Sequence, residues 1–182
     1  MKKYEINGEE RSKDFIIKAG GEPVPVYKAR VSAVPFNQVW PGYQRPLDQT
    51  ELASFAYFDI KRPENIEVES AFPVETCSVK PSSLKILPEI RKDKICFKVK
   101  KPGHFVVEVN GSHSPLHVFV NPEKVQNVNR KDKNVLYFGP GVHRPGKIVL
   151  KDGQTVYIAG DAIVHASISA ENVSNISIIG RG

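Results

Sequence analysis

Apolar and polar residues alternate with a period of two over much of the chain. Ile66 and Val68 alternate with Glu67 and Glu69, and Ile95, Phe97 and Val99 with Lys94, Cys96, Lys98 and Lys100. Phe105, Val107 and Val109 follow a turn at Pro102-Gly103, with His104, Glu108 and Asn110 facing the other way. Leu116, Val118 and Val120 continue the series after Asn110-Gly111. A strand sends successive side chains to opposite faces, so this period predicts strands with one face buried and one in water. Their short, regular spacing predicts an antiparallel β-sandwich. Asn110-Gly111 suits a tight hairpin, because both residues tolerate positive φ. With 14 prolines and 13 glycines among 182 residues, few windows are long enough for a helix. The one helical turn the pattern suggests lies near Asp48 to Ala53.

The pattern breaks at residues 121–134, NPEKVQNVNRKDKN, whose only large apolar groups are Val125 and Val128. Such composition reads as a linker. The sandwich is therefore assigned to residues 1–122, the linker to 123–134 and a further unit to 135–182. In that last unit short β segments (Thr155–Ile158, Ile163–His165, Ser167–Ser169) are separated by corners rather than hairpin turns. Val156 and Ile158 recur 20 residues later as Ile176 and Ile178. Repetition near this length, with Asn, Gly and small residues at the corners, is what stacked parallel coils require.

The stretch Val135–Gly182 resembles the start of the right-handed parallel β-helix of polysaccharide-degrading hydrolases. The resemblance is carried by Tyr137-Phe138-Gly139-Pro140-Gly141-Val142-His143, Gly153-Gln154-Thr155, Tyr157-Ile158-Ala159-Gly160 and the closing Ile179-Gly180-Arg181-Gly182. Upstream, Ser54-Phe55-Ala56-Tyr57-Phe58, the acidic strand Ile66–Glu69, Val79-Lys80-Pro81 and Leu116-His117-Val118-Phe119-Val120-Asn121-Pro122 follow in the order of glycoside hydrolase family 49, the dextranases and isopullulanases. The polygalacturonase-like family 28 is the alternative within the same group. The resemblance implies an all-β chain, an antiparallel β-sandwich followed by the first coils of a right-handed parallel β-helix. It also implies that the catalytic aspartates lie on later coils, so that no catalytic residue is assigned in this chain. An inverting glycosidase needs two carboxyl groups about 6.5–9.5 Å apart. Asp152, Asp161 and Glu171 are isolated beside corners and read as turn residues in solvent.

Composition narrows the remaining classes. Hydrophobic residues are 40% and charged residues 25%, a globular balance. Apolar runs of only a few residues exclude a membrane-spanning helix. Glu9, Glu10, Arg11, Lys13 and Asp14 interrupt any secretory signal in residues 1–20. The chain is then secreted or periplasmic if a signal has been removed, and otherwise cytoplasmic. The balance of 26 basic to 20 acidic residues gives +6, but the lysines are spread. Those from Lys92 to Lys101 read as the solvated face of a strand, and no nucleic-acid partner is assigned. Two cysteines, Cys77 and Cys96, are too few for a disulfide scaffold or a thiolate zinc site. They read as independent thiols, with pairing left open should their strands be neighbours.

No cofactor or metal is called for. His113 and His117 would share a helix face, but Pro115 and the alternation after Leu116 place them on a strand, where the spacing brings no convergence. Gly139-Pro140-Gly141 lacks the Lys-Ser/Thr of a phosphate loop. Asn110, Asn172 and Asn175 satisfy the glycosylation pattern, and the latter two read as corner residues. The candidate binding residues are Trp40, Tyr43, Gln44 and Arg45, in a loop stiffened by Pro41, Gly42 and Pro46. Sugar rings present C–H faces for aromatic stacking and hydroxyls for amide and guanidinium hydrogen bonds. The competing reading puts Trp40 and Tyr43 in the seam between sandwich and β-helix. The expected function is that of the non-catalytic leading part of a glycoside hydrolase, capping the β-helix, with a stand-alone carbohydrate-binding or structural module as the alternative. The polysaccharide would be engaged by downstream coils, and the open end of the helix is a surface for self-association.

Overall fold

The computed structural model describes residues 1–33, 46–123 and 128–182. Its elements are strands, apart from two 3-10 turns at Leu47–Gln49 and Ser82–Leu84, which bears out the all-β class. The chain divides into two compact units, one of Met1–Lys3 with Glu10–Glu123 and one of Tyr4–Glu9 with Lys124–Gly182.

The first unit holds two sheets. In one, β5 (Thr50–Ile60) is flanked on one edge by β1 (Lys2–Lys3) and β4 (Tyr27–Ser32). On its other edge follow β11 (Leu116–Pro122), β10 (Gly103–Val109) and β7 (Cys77–Lys80). The second sheet runs β3 (Glu22–Val24), β2 (Phe15–Ala19), β6 (Glu64–Ser70), β9 (Lys94–Val99) and β8 (Glu89–Arg91). The inward residues of both sheets join one core. Ile17, Ile66, Val68, Ile95 and Val99 come from the second sheet, and Phe58, Val107, Leu116, Val118 and Val120 from the first. Each is at most 2% exposed, and fully burying a side chain of this kind is worth about 1.5–3 kcal/mol.

Three local expectations are corrected. The pairing is not wholly antiparallel, since β11 runs parallel to β5 with Leu116 opposite Ser54 and Val120 opposite Phe58. No hairpin joins these distant strands, so connection geometry imposes no direction on them. The helical turn expected near Asp48 to Ala53 is a single 3-10 turn that gives way to β5 at Thr50. There Thr50 Oγ1 donates to the Leu47 carbonyl at 2.6 Å and accepts from Arg30 at 3.0 Å, while the backbone pairs with Ser32 of β4. The hairpin between β10 and β11 is not a two-residue turn, because Asn110–Pro115 intervene. Asn110 does sit at φ 57, but its side chain is committed elsewhere. Its Oδ1 accepts from the backbone of Glu75 and Thr76 (2.9 and 3.0 Å), and its Nδ2 donates to the Pro73 carbonyl (2.8 Å).

In the second unit β12 (Val135–Phe138), β14 (Thr155–Ile158) and β16 (Ser177–Gly180) form a parallel sheet, and β13 (Gly141–Val149) and β15 (Ala162–Ser169) another. The ladder steps 20 residues from Val135 to Thr155, 21 from Gly141 to Ala162 and 22 from Thr155 to Ser177. Val156 is thus paired with Ile178, not with Ile176 as the 20-residue recurrence suggested. The longer step accommodates the corner carrying Asn172 and Asn175, both left-handed (φ 52 and 56). Corners are tied to one another: Gly153 N–H donates to Ser174 O at 2.9 Å, and Ser174 N–H to Asp152 Oδ1 at 2.6 Å. Gly180 closes the last rung at φ +153, where a Cβ would strike the Ile158 backbone. Tyr4–Glu9 packs within this unit. Tyr4 and Ile6 are buried, the Tyr4 ring lies on Gly160, and Glu9 Oε2 meets His165 Nε2 at 2.8 Å.

Candidate functional site

β5, between β11 and β4, is buried on both faces over most of its length, whereas alternation buries one side of β10 and β11 and leaves the other accessible. On β11 this places His117 and Phe119 outward, between the buried Leu116, Val118 and Val120. The antiparallel register brings His104 of β10 opposite Phe119 and Val106 opposite His117. The parallel register with β5 brings Phe55 opposite His117 and Tyr57 opposite Phe119. Tyr27 of β4 then stands opposite Phe55. An aromatic band therefore crosses four strands.

The rings lie nearly parallel. His104 stacks on Phe119 with centroids 4.2 Å apart at 16°, and His117 lies 5.3 Å from His104 at 29°. Phe55 and Tyr57 are 6.4 Å apart at 18°. Tyr27 and Tyr57 are buried, with the Arg11 guanidinium over the Tyr27 ring at 4.6 Å. The accessible part is the His104, Phe119 and His117 surface, where Phe119 is 37% exposed. His104 Nε2 and His117 Nδ1 share a hydrogen bond of 3.1 Å, which needs one ring to donate and the other to accept. Two imidazolium rings could not make it. Burial pushes the His104 pKa down, and burial followed by the neighbouring His104 pushes that of His117 down. Rings stacked this closely cover one another's faces and turn their edges outward, where C–H and ring N–H groups can meet sugar hydroxyls or an apolar face.

Carboxylates around this face are engaged. Glu51 Oε2 meets His113 Nδ1 at 2.9 Å. Glu108 Oε2 accepts from the Ser78 hydroxyl at 2.8 Å and lies 3.7 Å from Lys80 Nζ. His113 and His117 consequently serve different partners rather than one ligand. No group of three or more His, Cys, Asp or Glu side chains suited to a metal ion occurs among the described residues. Asp152 holds a corner through the Ser174 amide, which is the turn role its position suggested. Cys77 and Cys96 are free thiols on strands of different sheets, and burial pushes the Cys77 thiol up to about 11.

Trp40, Tyr43, Gln44 and Arg45 lie outside the described residues. The His104, Phe119 and His117 surface went unnoticed in the sequence, although each residue occupies an outward position of its strand. Only the register between β10 and β11 juxtaposes them.

No protein-family model matches the chain, and no curated protein matches it either. Among solved structures it is similar to Dex49A from Penicillium minioluteum, with a TM-score of 0.60 and 13% identity. The match covers 93% of this chain and 47% of that one, so the chain spans about half the length of the structure it matches. At this identity the likeness is one of fold, a β-helix glycoside hydrolase-like fold.

Proposed function

We propose that this chain is the non-catalytic leading part of a polysaccharide-degrading glycoside hydrolase, a β-sandwich followed by the first coils of a right-handed parallel β-helix. The observation that carries the proposal is the fold likeness to Dex49A, which takes in nearly the whole of this chain and only about half of the other. The parallel ladders of the second unit, stepping 20 to 22 residues, support the same reading. Its physical task is to close the start of the coil stack, whose first coil would otherwise expose apolar surface and unpaired strand edges. Tyr4–Glu9 contributes by covering Gly160. Exposed Ile178 and Ile179 on β16 form the surface on which a following coil, or a second copy, stacks. The polysaccharide is engaged and cut on later coils. Reading the gene beyond the codon for Gly182 tests this directly. Several hundred further residues with coil-length repeats and clustered aspartates are expected, and a stop codon there would overturn the proposal.

A second reading, a stand-alone carbohydrate-binding module, is favoured by the partly exposed stack of His104, Phe119 and His117. Trp40, Tyr43, Gln44 and Arg45 would supply further contacts. Titration with dextran and pullulan separates the two: binding lost in Phe119→Ala or Trp40→Ala supports the module, and no binding to either glycan supports the capping role.

A further inference from the structure

We infer that the lysine-rimmed hollow beside the segment joining β7 to β8 is a binding site for an anionic polysaccharide, a polymer carrying a carboxylate on each sugar ring. The inference rests on the reading of the chain as part of a polysaccharide-acting protein and names the class of polymer. The hollow encloses about 490 Å³. Its floor is Phe105, which is buried in the core, with Ile86 packed against the same core. Its wall is Leu87, 89% exposed. Around this apolar surface stand Lys85, Lys98, Lys100 and Lys101.

Those four cations gather around a hollow whose lining includes no carboxylate. Along the outward face of β9, Lys94 lies opposite Glu69 and bonds it at 2.7 Å. Cys96 lies opposite Glu67, which draws Lys18 and Lys94 to 3.8 and 3.9 Å. The next position pairs Lys98 with Asn65, and the ladder of carboxylates stops. Among the described residues, none of the four lysines forms an ion pair. Lys85 also holds a left-handed backbone (φ 49) after the turn Ser82–Leu84, a conformation that glycine or asparagine would adopt at less cost. Like charges gathered without counter-ions repel one another, and an anionic ligand removes that repulsion.

The apolar surface chooses among anions. A uronate ring offers a C–H face to Leu87 and a carboxylate to the lysines at once. Single-stranded nucleic acid would call for exposed aromatic rings to stack its bases, whereas Phe105, the ring lining this hollow, is buried. Leu87 and Lys98 also line a second hollow of about 420 Å³ with Asn65, Glu67 and Glu89, whose two carboxylates end the cationic surface there and confine an anionic chain to the lysine-rimmed side.

The test is a titration of the full chain with alginate oligomers, dextran and polyadenylate at low and high salt. Alginate is expected to bind, and to bind more weakly as salt rises. The triple substitution Lys98→Gln, Lys100→Gln, Lys101→Gln is expected to weaken it by about tenfold or more, with the thermal midpoint retained because all three side chains are exposed. Leu87→Ser should weaken alginate binding without altering its salt dependence. The inference is overturned by an absence of alginate binding, by an affinity unchanged in the triple variant, by dextran binding as tightly, or by polyadenylate binding as tightly through the same lysines. A gene that continues past Gly182 into further coils alongside any of those results would leave the proposed function standing while the anionic site falls.

Discussion

The packing of Tyr4 on Gly160 makes the place of the N-terminal segment measurable. Gly160 is not in the left-handed region, so alanine suits its backbone, but the new Cβ would fall within 2.7 Å of Tyr4 Cζ and closer still to two other ring carbons. Overpacking of this sort costs about 1–3 kcal/mol. Tyr4 is 6% exposed, and removing a buried aromatic side chain costs about 3–5 kcal/mol. In the double variant the alanine methyl enters the space the ring has left. Its cost should therefore be about that of Tyr4→Ala alone, a coupling of about 1–3 kcal/mol. Urea unfolding of the four proteins, followed by hydrogen exchange at β14 and β15 amides, reads this out. Costs that add to within about 0.5 kcal/mol, or a neutral Gly160→Ala, would refute the packing.

Other outcomes follow from single contacts. Asn110→Ala removes two accepted and one donated hydrogen bond and should cost about 1–3 kcal/mol in urea unfolding; Asn110→Asp, which keeps both accepted bonds, should cost less. His104 and His117 have pKa values lowered by folding, so their contribution is whole above the unfolded value of about 6.5 and is lost as pH falls below it. The urea midpoint should accordingly drop further between pH 7 and pH 5 than it does in the His104→Phe, His117→Phe variant, and equal drops would contradict the assignment. Cys77, with its thiol pushed up to about 11, should react with iodoacetamide at pH 8 far more slowly in the folded chain than in urea. Equal rates would show the thiol to be neither buried nor perturbed.

The alternation made β6, β9, β10 and β11 readable because each buries one face, and Leu116, Val118 and Val120 took the inward positions it assigned. Thr155–Ile158 likewise is a strand as its residues suggested. Pairings between distant strands were not readable. The parallel β5 and β11 pair answers to no local turn, and the 22-residue step to β16 depends on how many residues a corner absorbs. Tyr4–Glu9 is too short to show a period, so nothing in its residues announced that Tyr4 would lie on Gly160. The candidate surfaces share this dependence on register. His104 and His117 were visibly outward, but their contact with Phe119 requires the β10 to β11 alignment. Lys98 looked like any solvated lysine until its neighbour on β6 proved to be Asn65 rather than an acid.

The claim at the centre of this account is that the 182 residues present and close a β-helix but do not themselves cut a glycan. The direct measurement is reducing-end release from dextran, pullulan and alginate by the purified chain. The account predicts no release above that of buffer. Sustained release that disappears when Asp152, Asp161 or Glu171 is replaced by its amide would contradict it.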